Sequence, residues 1–447
     1  MTPLFSLEAT WSVASLQELC SGGDASIQTG PFGSQLHASD YVEDGIPCVM
    51  PQDIRDGRIS IENVARISED DHRRLHRFHL RQGDIVYPRR GDISKRALIG
   101  RREAEWLCGT GCLRIRPNTS SVVPSFLAYY LSHPDVRAWI EGNAVGATMP
   151  HLNTGLAGSI PVVCPSLAEQ KAIAEMLGAL DDKIELNRRM SATLEEMARA
   201  LYRSWFVDFD PVHARALGQP PAHMDATTAA LFPDSFGPDG LPKGWREEPI
   251  IEQASWVNGA AHKNMHFSRN PEALPVVKIA ELKSGITSGT KFTATDLGAK
   301  YRITKGELLF SWSGNPDTSI DAFVWPHDDA WLNQHIFAVR ENGRAGKALL
   351  FAMLRFYKPE FAEIARNKQT TGLGHITRKD LEAFPVRIPT SDIARSFEDR
   401  IEPLFKRYQN CLYGSISLAT LRDTLLPRLM SGELRIREAE KRVEEVV

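Results

Sequence analysis

The sequence lacks the features that would direct a chain into a membrane or out of the cell. No apolar run approaches the roughly 20 residues that a membrane-spanning helix needs. The first residues, MTPLFSLEATW, contain no basic region followed by an apolar stretch, so we expect no secretory signal. Cysteine is scarce, with 6 in 447 residues, which favours a reducing compartment over a disulfide framework. A cytoplasmic protein is therefore expected.

An excess of charge of one sign is also missing. The formal net charge is −3, with 53 Lys and Arg against 56 Asp and Glu, so the chain as a whole is not a polycation. Apolar residues make up 42% and charged residues 24%, as in ordinary soluble globular proteins. Any surface that binds a nucleic acid must therefore be local.

Motifs of catalysis are missing as well. No G-x-x-x-x-G-K-[ST] phosphate loop occurs, no G-x-G-x-x-G follows an apolar strand, and no Asn/Asp-Pro-Pro-aromatic run of an amino-methyltransferase is present. The stretch PEALPVVKIAELK loosely resembles a nuclease metal site, but a strand followed by a turn explains it better. We therefore predict a chain without catalytic residues of its own.

Two small clusters invite a metal-site interpretation. His72, His76 and His79 fall at helical spacing in DHRRLHRFHLR, but the arginines between them would repel a cation, and a solvated basic face is favoured. Cys108 and Cys112 form a lone Cys-x3-Cys, for which we expect buried thiols that flank a turn. No metal ligand is predicted from either cluster.

Sequence repeats divide the chain into two similar halves. Three pairs of segments resemble each other at a nearly constant offset of 223 to 228 residues. They are IPCVMPQDIRDG (46–57) with LPVVKIAELKSG (274–285), GDIVY (83–87) with GELLF (306–310), and PHLNTGLAGSIPVVCP (150–165) with GHITRKDLEAFPVRIP (374–389). The repeat predicts two copies of one strand-rich domain.

Each half ends in a long segment with the apolar pattern of a coiled-coil helix. The first begins near Ala168, runs to about Phe209 and has a seam that is polar only at Asn187 and Ser191. The second contains Pro403, which predicts a kink or a late start. At about 1.5 Å per residue, each helix would be roughly 60 Å long. Because one copy of the domain separates them, we expect the helices to pack antiparallel.

The predicted fold class is α+β, with two pseudo-twofold-related mixed α/β domains separated by two long antiparallel coiled-coil helices. The predicted boundaries are 1–165 for the first domain, 166–210 for the central helix, 211–242 for a connector laid over a surface, 243–390 for the second domain, 391–435 for the C-terminal helix and 436–447 for a charged tail.

A basic loop follows the GDIVY strand. The segment 73–102 carries ten Arg and Lys against two Asp. Arg89, Arg90, Lys95 and Arg96 lie directly after the strand, where arginine side chains can reach phosphates and base edges. A merely solubilising surface is the alternative.

The equivalent loop of the second half, SWSGNPDTSIDAFVWP (311–326), is not basic. Its Ser311, Trp312 and Asn315 would suit base contacts or packing in a groove, and a plain surface loop is the alternative. The two halves thus share a scaffold and differ in their loops, as expected of two readers of different DNA sequences.

A second pair of loops, GATMPHLN (146–153) and TTGLGHIT (370–377), precedes the closing strand of each half. Flexible glycines and short polar side chains favour close approach to a nucleic-acid backbone. The candidate DNA-binding residues here are Thr148, His151 and Asn153 in the first half and His375, Thr377 and Arg378 in the second.

These features resemble the specificity subunit of type I restriction–modification systems. The resemblance rests on GPFGSQL with YVEDGIPCVMPQDI, GDIVYPRRG, LYRSWFVDFDPVHAR, LFPDSF with LPKGW, and LRDTLLPRLMSGEL. Its most specific element is the helix start IPVVCPSLAEQKAIAEMLGALDDKIELNRRM. The second helix begins SDIARSFEDRIEP and departs from the pattern, since it lacks the Glu-Gln pair.

The resemblance implies a division of labour among subunits. Each half would be a target recognition domain that reads one part of a split double-stranded DNA site, and the helices would fix the unread spacer. Two modification subunits, which hold S-adenosylmethionine and methylate adenine, would dock on the helices. Restriction subunits that use ATP and Mg²⁺ would join them and cut DNA. The chain itself would bind no cofactor or metal and catalyse nothing.

Two other functions remain open at this point. A self-contained DNA methyltransferase or nuclease with a cryptic site would bind S-adenosylmethionine, or cleave DNA with a metal, without partner subunits. A coiled-coil scaffold with no role on DNA would behave independently of salt and of sequence in a DNA-binding assay.

Overall fold

Two units of mixed secondary structure make up the chain. In the computed structural model the described residues are 2–8, 10–55, 57–144, 151–268, 270, 272–369 and 372–445. The first unit is Met1–Lys183 with Ser417–Val447, and the second is Ile184–Ile416. Each unit combines sheets with helices, which confirms the predicted mixed class. The domain boundaries and the pseudo-twofold relation stay predictions.

The first unit is built on small sheets. Its strands are β1 (Ser12–Ser15), β2 (Ser26–Thr29), β3 (Tyr41–Val42), β4 (Ile46–Val49), β5 (Ile54–Arg55), β6 (Arg58–Ile59), β7 (Ala65–Ile67), β8 (Ile85–Pro88), β9 (Ala97–Leu98), β10 (Leu107–Cys108), β11 (Cys112–Arg116) and β12 (Pro161–Cys164). β1 pairs with β12, and two larger sheets have the orders β2-β11-β8-β9 and β10-β4-β7-β3. β8 lies in the GDIVY segment, pairs with β11 and β9 along its two edges, and is buried on both faces.

Short helices connect these strands. They are α1 (Leu16–Leu19), α2 (Glu69–Arg74), α3 (Pro124–Tyr130), α4 (Pro134–Asn143) and α5 (Thr154–Gly158), and the long helix α6 (Leu167–Phe206) follows β12. Ser15, Ser68 and Asn153 cap α1, α2 and α5, since each side chain accepts a hydrogen bond from a backbone N–H of the first turn. These caps fix the residue at which each of the three helices begins.

The second unit contains strands and helices that correspond to those of the first unit. Its strands are β13 (Arg246–Pro249), β14 (Ser255–Asn258), β15 (Leu274–Val277), β16 (Phe292–Thr293), β17 (Arg302–Ile303), β18 (Leu308–Ser311), β19 (Ser313–Gly314), β20 (Asp321–Val324), β21 (Ala330–Leu332), β22 (Ile336–Arg340), β23 (Gly374–His375) and β24 (Pro385–Ile388). Its helices are α7 (Asp210–Ala216), α8 (Ala226–Leu231), α9 (Ile279–Ser284), α10 (Pro316–Ser319), α11 (Lys347–Phe356), α12 (Lys358–Asn367) and α13 (Arg378–Ala383). The second long helix is α14 (Ser391–Ser431), whose residues up to Ile416 belong to the second unit; the rest of α14 and helix α15 (Ile436–Glu444) belong to the first unit.

The sheets of the second unit repeat those of the first. β13 pairs with β24 as β1 pairs with β12, and the order β14-β22-β18-β20 matches β2-β11-β8-β9. β15 pairs parallel with β21, as β4 does with β10. The predicted repeat is therefore confirmed, because each matched pair of sequence segments occupies the same place in its own unit.

The long helices lie antiparallel within each unit. In the first unit Asp181 of α6 pairs with Arg422 of α14, with Oδ1 and Nη1 2.6 Å apart. In the second unit the rings of Phe206 and Phe397 pack at 4.7 Å, at the other end of each helix sequence. Residues later in α6 thus contact residues earlier in α14, which confirms that the two helices are antiparallel.

A late start of the second helix at Pro403 was a wrong expectation. α14 begins at Ser391 and continues through the exposed Pro403. Phe397 and Ile401 are both buried on the proline's N-terminal side. Burial of this apolar stripe outweighs the loss of one helical hydrogen bond at proline.

Two predicted irregular segments are better ordered than expected. The connector carries α7 and α8, and its Phe232 is buried against Trp205 with ring centroids 4.9 Å apart, so the segment enters the core of the second unit. The charged tail contains helix α15. Among the described residues no helix has the length and apolar content to cross a membrane.

Candidate nucleic-acid interface

The two predicted loops of the first unit meet. Leu152 N donates to Arg89 O at 2.9 Å, and Arg90 forms an antiparallel bridge with His151. The Arg89 guanidinium Nη2 lies 3.2 Å from His151 Nε2. The backbone therefore joins the loop after β8 to the loop before α5 and gathers two arginines and a histidine.

The second unit joins its own loops in the same way. Ile376 N donates to Trp312 O at 2.8 Å, and Ser313 of β19 pairs with His375 of β23. Trp312 and His375 stand at the repeat positions of Arg89 and His151. We call each arrangement the joined loops of its unit: 89–92 with 151–153, and 312–315 with 375–377. The scaffold is shared, and the side chains that it presents differ.

A glycine contact supports the joined loops of the first unit. Gly30 N donates to Cys112 O at 2.9 Å, and a Cβ on Gly30 would lie 2.1 Å from Gly109 O. Arg89 N donates to Gly111 O at 2.7 Å from the same turn. The Gly-Pro-Phe-Gly segment thus begins where only glycine fits, against the turn that holds Arg89 in place.

The second unit repeats this glycine contact. Gly259 N donates to Ile336 O at 3.0 Å, and a Cβ on Gly259 would lie 2.2 Å from Asn333 O. The preceding residue, Asn258, accepts a hydrogen bond from Trp312 Nε1 at 2.9 Å. Asn258 and Gly259 were missed in the sequence, whereas Gly30 was noticed as the start of the Gly-Pro-Phe-Gly turn. The signal available for them was a glycine directly after the matched strands IQTG and WVNG.

Gly30→Ala is expected to lower the free energy of unfolding of the first unit by about 1–3 kcal/mol. The new Cβ would meet a backbone oxygen, which cannot move without shifting the 109–111 turn. Gly142→Ala in α4 is the matched control, because its Cβ would meet no atom within 4 Å and alanine favours a helix. Chemical denaturation followed by circular dichroism measures both variants, and equal stabilities would contradict the prediction.

Much of the basic segment is neutralised locally. Arg73 pairs with Asp70, Arg74 with Asp71, Arg81 with Asp24 and Lys95 with Asp92. These exposed pairs reduce the positive potential that the count of arginines suggested. Arg90 remains exposed on the joined loops, while Arg89 is half-buried beside His151.

Arg96 and Ser311 are corrections to the predicted interface. Arg96 is buried, its Nε donates to Ala128 O in α3, and burial lowers its pKa to about 10. Ser311 is fully buried at the end of β18. Arg96 directly precedes β9 and Ser311 is the last residue of β18, so each side chain is buried with its strand and neither is placed to meet DNA.

Several predicted residues have a structural task that explains them. Asn153, Asn315 and Thr377 cap α5, α10 and α13, with each side chain accepting a backbone N–H. The exposed Arg378 pairs with Glu382 at 3.0 Å. Thr148 lies outside the described residues. Whether any of these residues contacts DNA stays a prediction.

His151, in the joined loops of the first unit, favours its neutral form. Partial burial lowers the pKa of His151, and the charges of Arg89 and Arg90 lower it further. Neutral His151 can accept the hydrogen bond that Arg89 donates through Nη2. Within the described part of the chain, Arg89 Nε is buried without a hydrogen-bond partner.

The predicted thiols also lie near this site. Cys108 and Cys112 are buried on either side of the 109–111 turn, which confirms the expectation, and Cys112 Sγ lies 3.3 Å from Val49 O. Burial raises the pKa of Cys108 to about 12. Both are therefore protonated packing residues at neutral pH.

Known proteins resemble this chain in sequence. Residues 36–196 match the family described as Type I restriction modification DNA specificity domain. The HindI specificity subunit of Haemophilus influenzae is 22% identical over 402 residues, which cover 79% of this chain and 87% of that protein. The MjaIX specificity subunit of Methanocaldococcus jannaschii is 25% identical over 325 residues, covering 71% and 70%.

A solved structure shows the same fold. The S subunit of a type I restriction–modification system from M. genitalium has a TM-score of 0.54 at 15% identity and covers 96% of this chain and 99% of that one. Residues 36–196 thus match a DNA specificity domain, and most of the chain is similar in sequence to type I restriction–modification specificity subunits, which confirms the resemblance found in its sequence.

Proposed function

We propose that this chain is the non-catalytic subunit that gives a type I restriction–modification complex its DNA sequence specificity. The first unit would read one part of a bipartite double-stranded DNA site and the second unit the other part. Modification subunits would methylate adenine in the site that this chain recognises. Restriction subunits would cut DNA in response to the same recognition. S-adenosylmethionine, ATP and Mg²⁺ would bind to those subunits and not to this chain.

One observation carries the proposal: the same backbone hydrogen bonds build both joined loops, but the side chains on them differ. Arg89, Arg90 and His151 stand in the first unit where Trp312, Ser313 and His375 stand in the second. A shared frame with different polar and aromatic side chains suits two readers of different base sequences. An enzyme would instead need one site with a fixed set of reacting groups.

The long helices would connect recognition to distance and to partners. A helix rises about 1.5 Å per residue, so its length can set a fixed number of unread base pairs between two half-sites. An internal repeat within one chain also offers two similar docking surfaces to two copies of a modification subunit. Each mismatched base pair costs a reader about 1–3 kcal/mol, so two short half-sites together give useful discrimination.

The test is an exchange of residues 1–165 for the equivalent residues of another specificity subunit. The complex should then methylate a hybrid sequence in which only one half of the site has changed. Single-molecule sequencing of genomic DNA from cells that carry either version reads both halves directly. A change in both halves, or in neither, would contradict the assignment of one half-site to each unit.

A further inference from the structure

A short 3-10 turn follows the glycine contact in both units. The turns are Gly33–Gln35 and Asn264–His266. In each, the third side chain accepts a hydrogen bond from the backbone N–H that precedes the turn. Phe32 N donates to Gln35 Oε1, and Lys263 N donates to His266 Nδ1, both at 3.2 Å. The two units thus share a small structure for which packing alone gives no reason.

The last carbonyl of each turn is also held by a side chain. Arg74 Nη1 donates to Gln35 O at 2.9 Å, and Thr293 Oγ1 donates to His266 O at 2.6 Å. Pro31 and Leu36 are buried on either side of the first turn. The turns are therefore fixed to their units at both ends, and a bound ligand would not have to order them.

Each fixed turn exposes one large apolar side chain. Phe32 is 61% exposed and Met265 is 82% exposed. An isolated exposed apolar residue is ordinary, but here one occurs at the corresponding turn of each unit: Phe32 directly precedes the first turn, and Met265 is the second residue of the other. Neither side chain belongs to a hydrophobic core cluster of the described residues.

These turns start beside the joined loops. Phe32 follows Gly30 by two residues, and Gly30 touches the 109–111 turn that binds Arg89 N. In the second unit the chain leaves Asn258, which holds Trp312 Nε1, and passes Gly259 before it reaches the turn with Met265. Phe32 and Met265 thus follow the glycine contact of their own unit by two and by six residues.

We propose that Phe32 and Met265 are specificity-determining residues, each of which packs on the 5-methyl group of a thymine in its own half-site. This inference rests on the proposed function. A phenyl ring and a thioether have different shapes and share only their apolar character, so the ligand must offer an apolar group and need not offer a stacking surface. Among the base edges in the major groove, the thymine methyl is that apolar group.

The test uses the full chain co-purified with its modification subunits and a duplex that contains its methylated site. Each thymine of the site is replaced in turn by deoxyuridine, which removes only the methyl group. For the unaltered protein, one such replacement in each half-site should weaken binding about fourfold, as the loss of one buried methyl group predicts. Phe32→Ala should abolish the effect in one half-site, and Met265→Ala should abolish it in the other.

Leu217→Ala is the matched control. Leu217 is 73% exposed and lies after α7, away from both turns in sequence, so this variant should keep the full response to deoxyuridine in both half-sites. The inference is overturned if no thymine is sensitive in the unaltered protein, or if the sensitivity persists in Phe32→Ala and Met265→Ala. It is also overturned if these variants fail to retain the modification subunits, since the side chains would then be protein contacts. Loss of sequence-specific binding by the unaltered complex would instead defeat the proposed function.

Discussion

Replacing Arg89 and Arg90 together by alanine is expected to weaken binding of the complex to its own DNA site about a hundredfold. Arginine forks on base edges contribute about 1–3 kcal/mol each, and two of them lie on one joined loop. Arg89 is held by the 109–111 turn and by His151, so it is already oriented before DNA arrives.

The salt dependence separates base contacts from phosphate contacts. If an arginine neutralises a phosphate, its replacement by alanine lowers the slope of log K against log salt by about one unit. Arg73→Ala is a suitable control, since Arg73 is exposed in the same basic segment but already pairs with Asp70. Fluorescence anisotropy at several salt concentrations measures both the affinity and the slope. Unchanged affinity and slope in the double variant would remove the joined loops of the first unit from the interface.

Asp321→Ala is expected to destabilise the second unit by about 3 kcal/mol, as breaking a buried ion pair usually does. Asp321 is buried at the start of β20, and its Oδ2 lies 2.6 Å from both Arg355 Nη1 and Lys358 Nζ. Arg355 also pairs with Glu195 of α6. Removing one carboxylate would leave Lys358 without its partner and Arg355 with one acid instead of two, beneath the loop that carries α10.

Native-state hydrogen exchange measures this destabilisation within the assembled complex. Amides of β20 and α11 should exchange roughly a hundredfold faster in Asp321→Ala, since about 1.36 kcal/mol corresponds to a factor of ten. Asp329→Ala provides the comparison, because Asp329 pairs with Arg302 at a more exposed position and should cost at most about 1 kcal/mol. Similar exchange in the two variants would show that the buried network contributes little.

The pairing and burial of the arginines in the predicted interface could not be predicted from the sequence. The segment 73–102 looked uniformly basic, yet Arg74 and Arg81 are paired with acids. Asp24 lies 57 residues from Arg81 along the chain, so no local count could have included that pair. Arg96 looked like a surface group because its type is usually exposed, and only the packing of α3 against β9 shows that it is buried.

The sequence by itself determined the repeat, the long helices and the resemblance to type I specificity subunits. These properties are written in local patterns: apolar period, strand-and-turn order, and motif spacing at a constant offset. It also determined that one half presents arginines where the other presents a tryptophan and polar groups.

Only the tertiary structure decided which of these residues stand together. The joined loops are made by hydrogen bonds between Arg89 and Leu152 and between Trp312 and Ile376, residues that are more than 60 positions apart in the chain. The fit of Gly30 against Gly109 and of Gly259 against Asn333 is a matter of backbone approach across a sheet. Such contacts depend on which strands pair although they are far apart in the chain. Local sequence patterns do not show which of these strands pair.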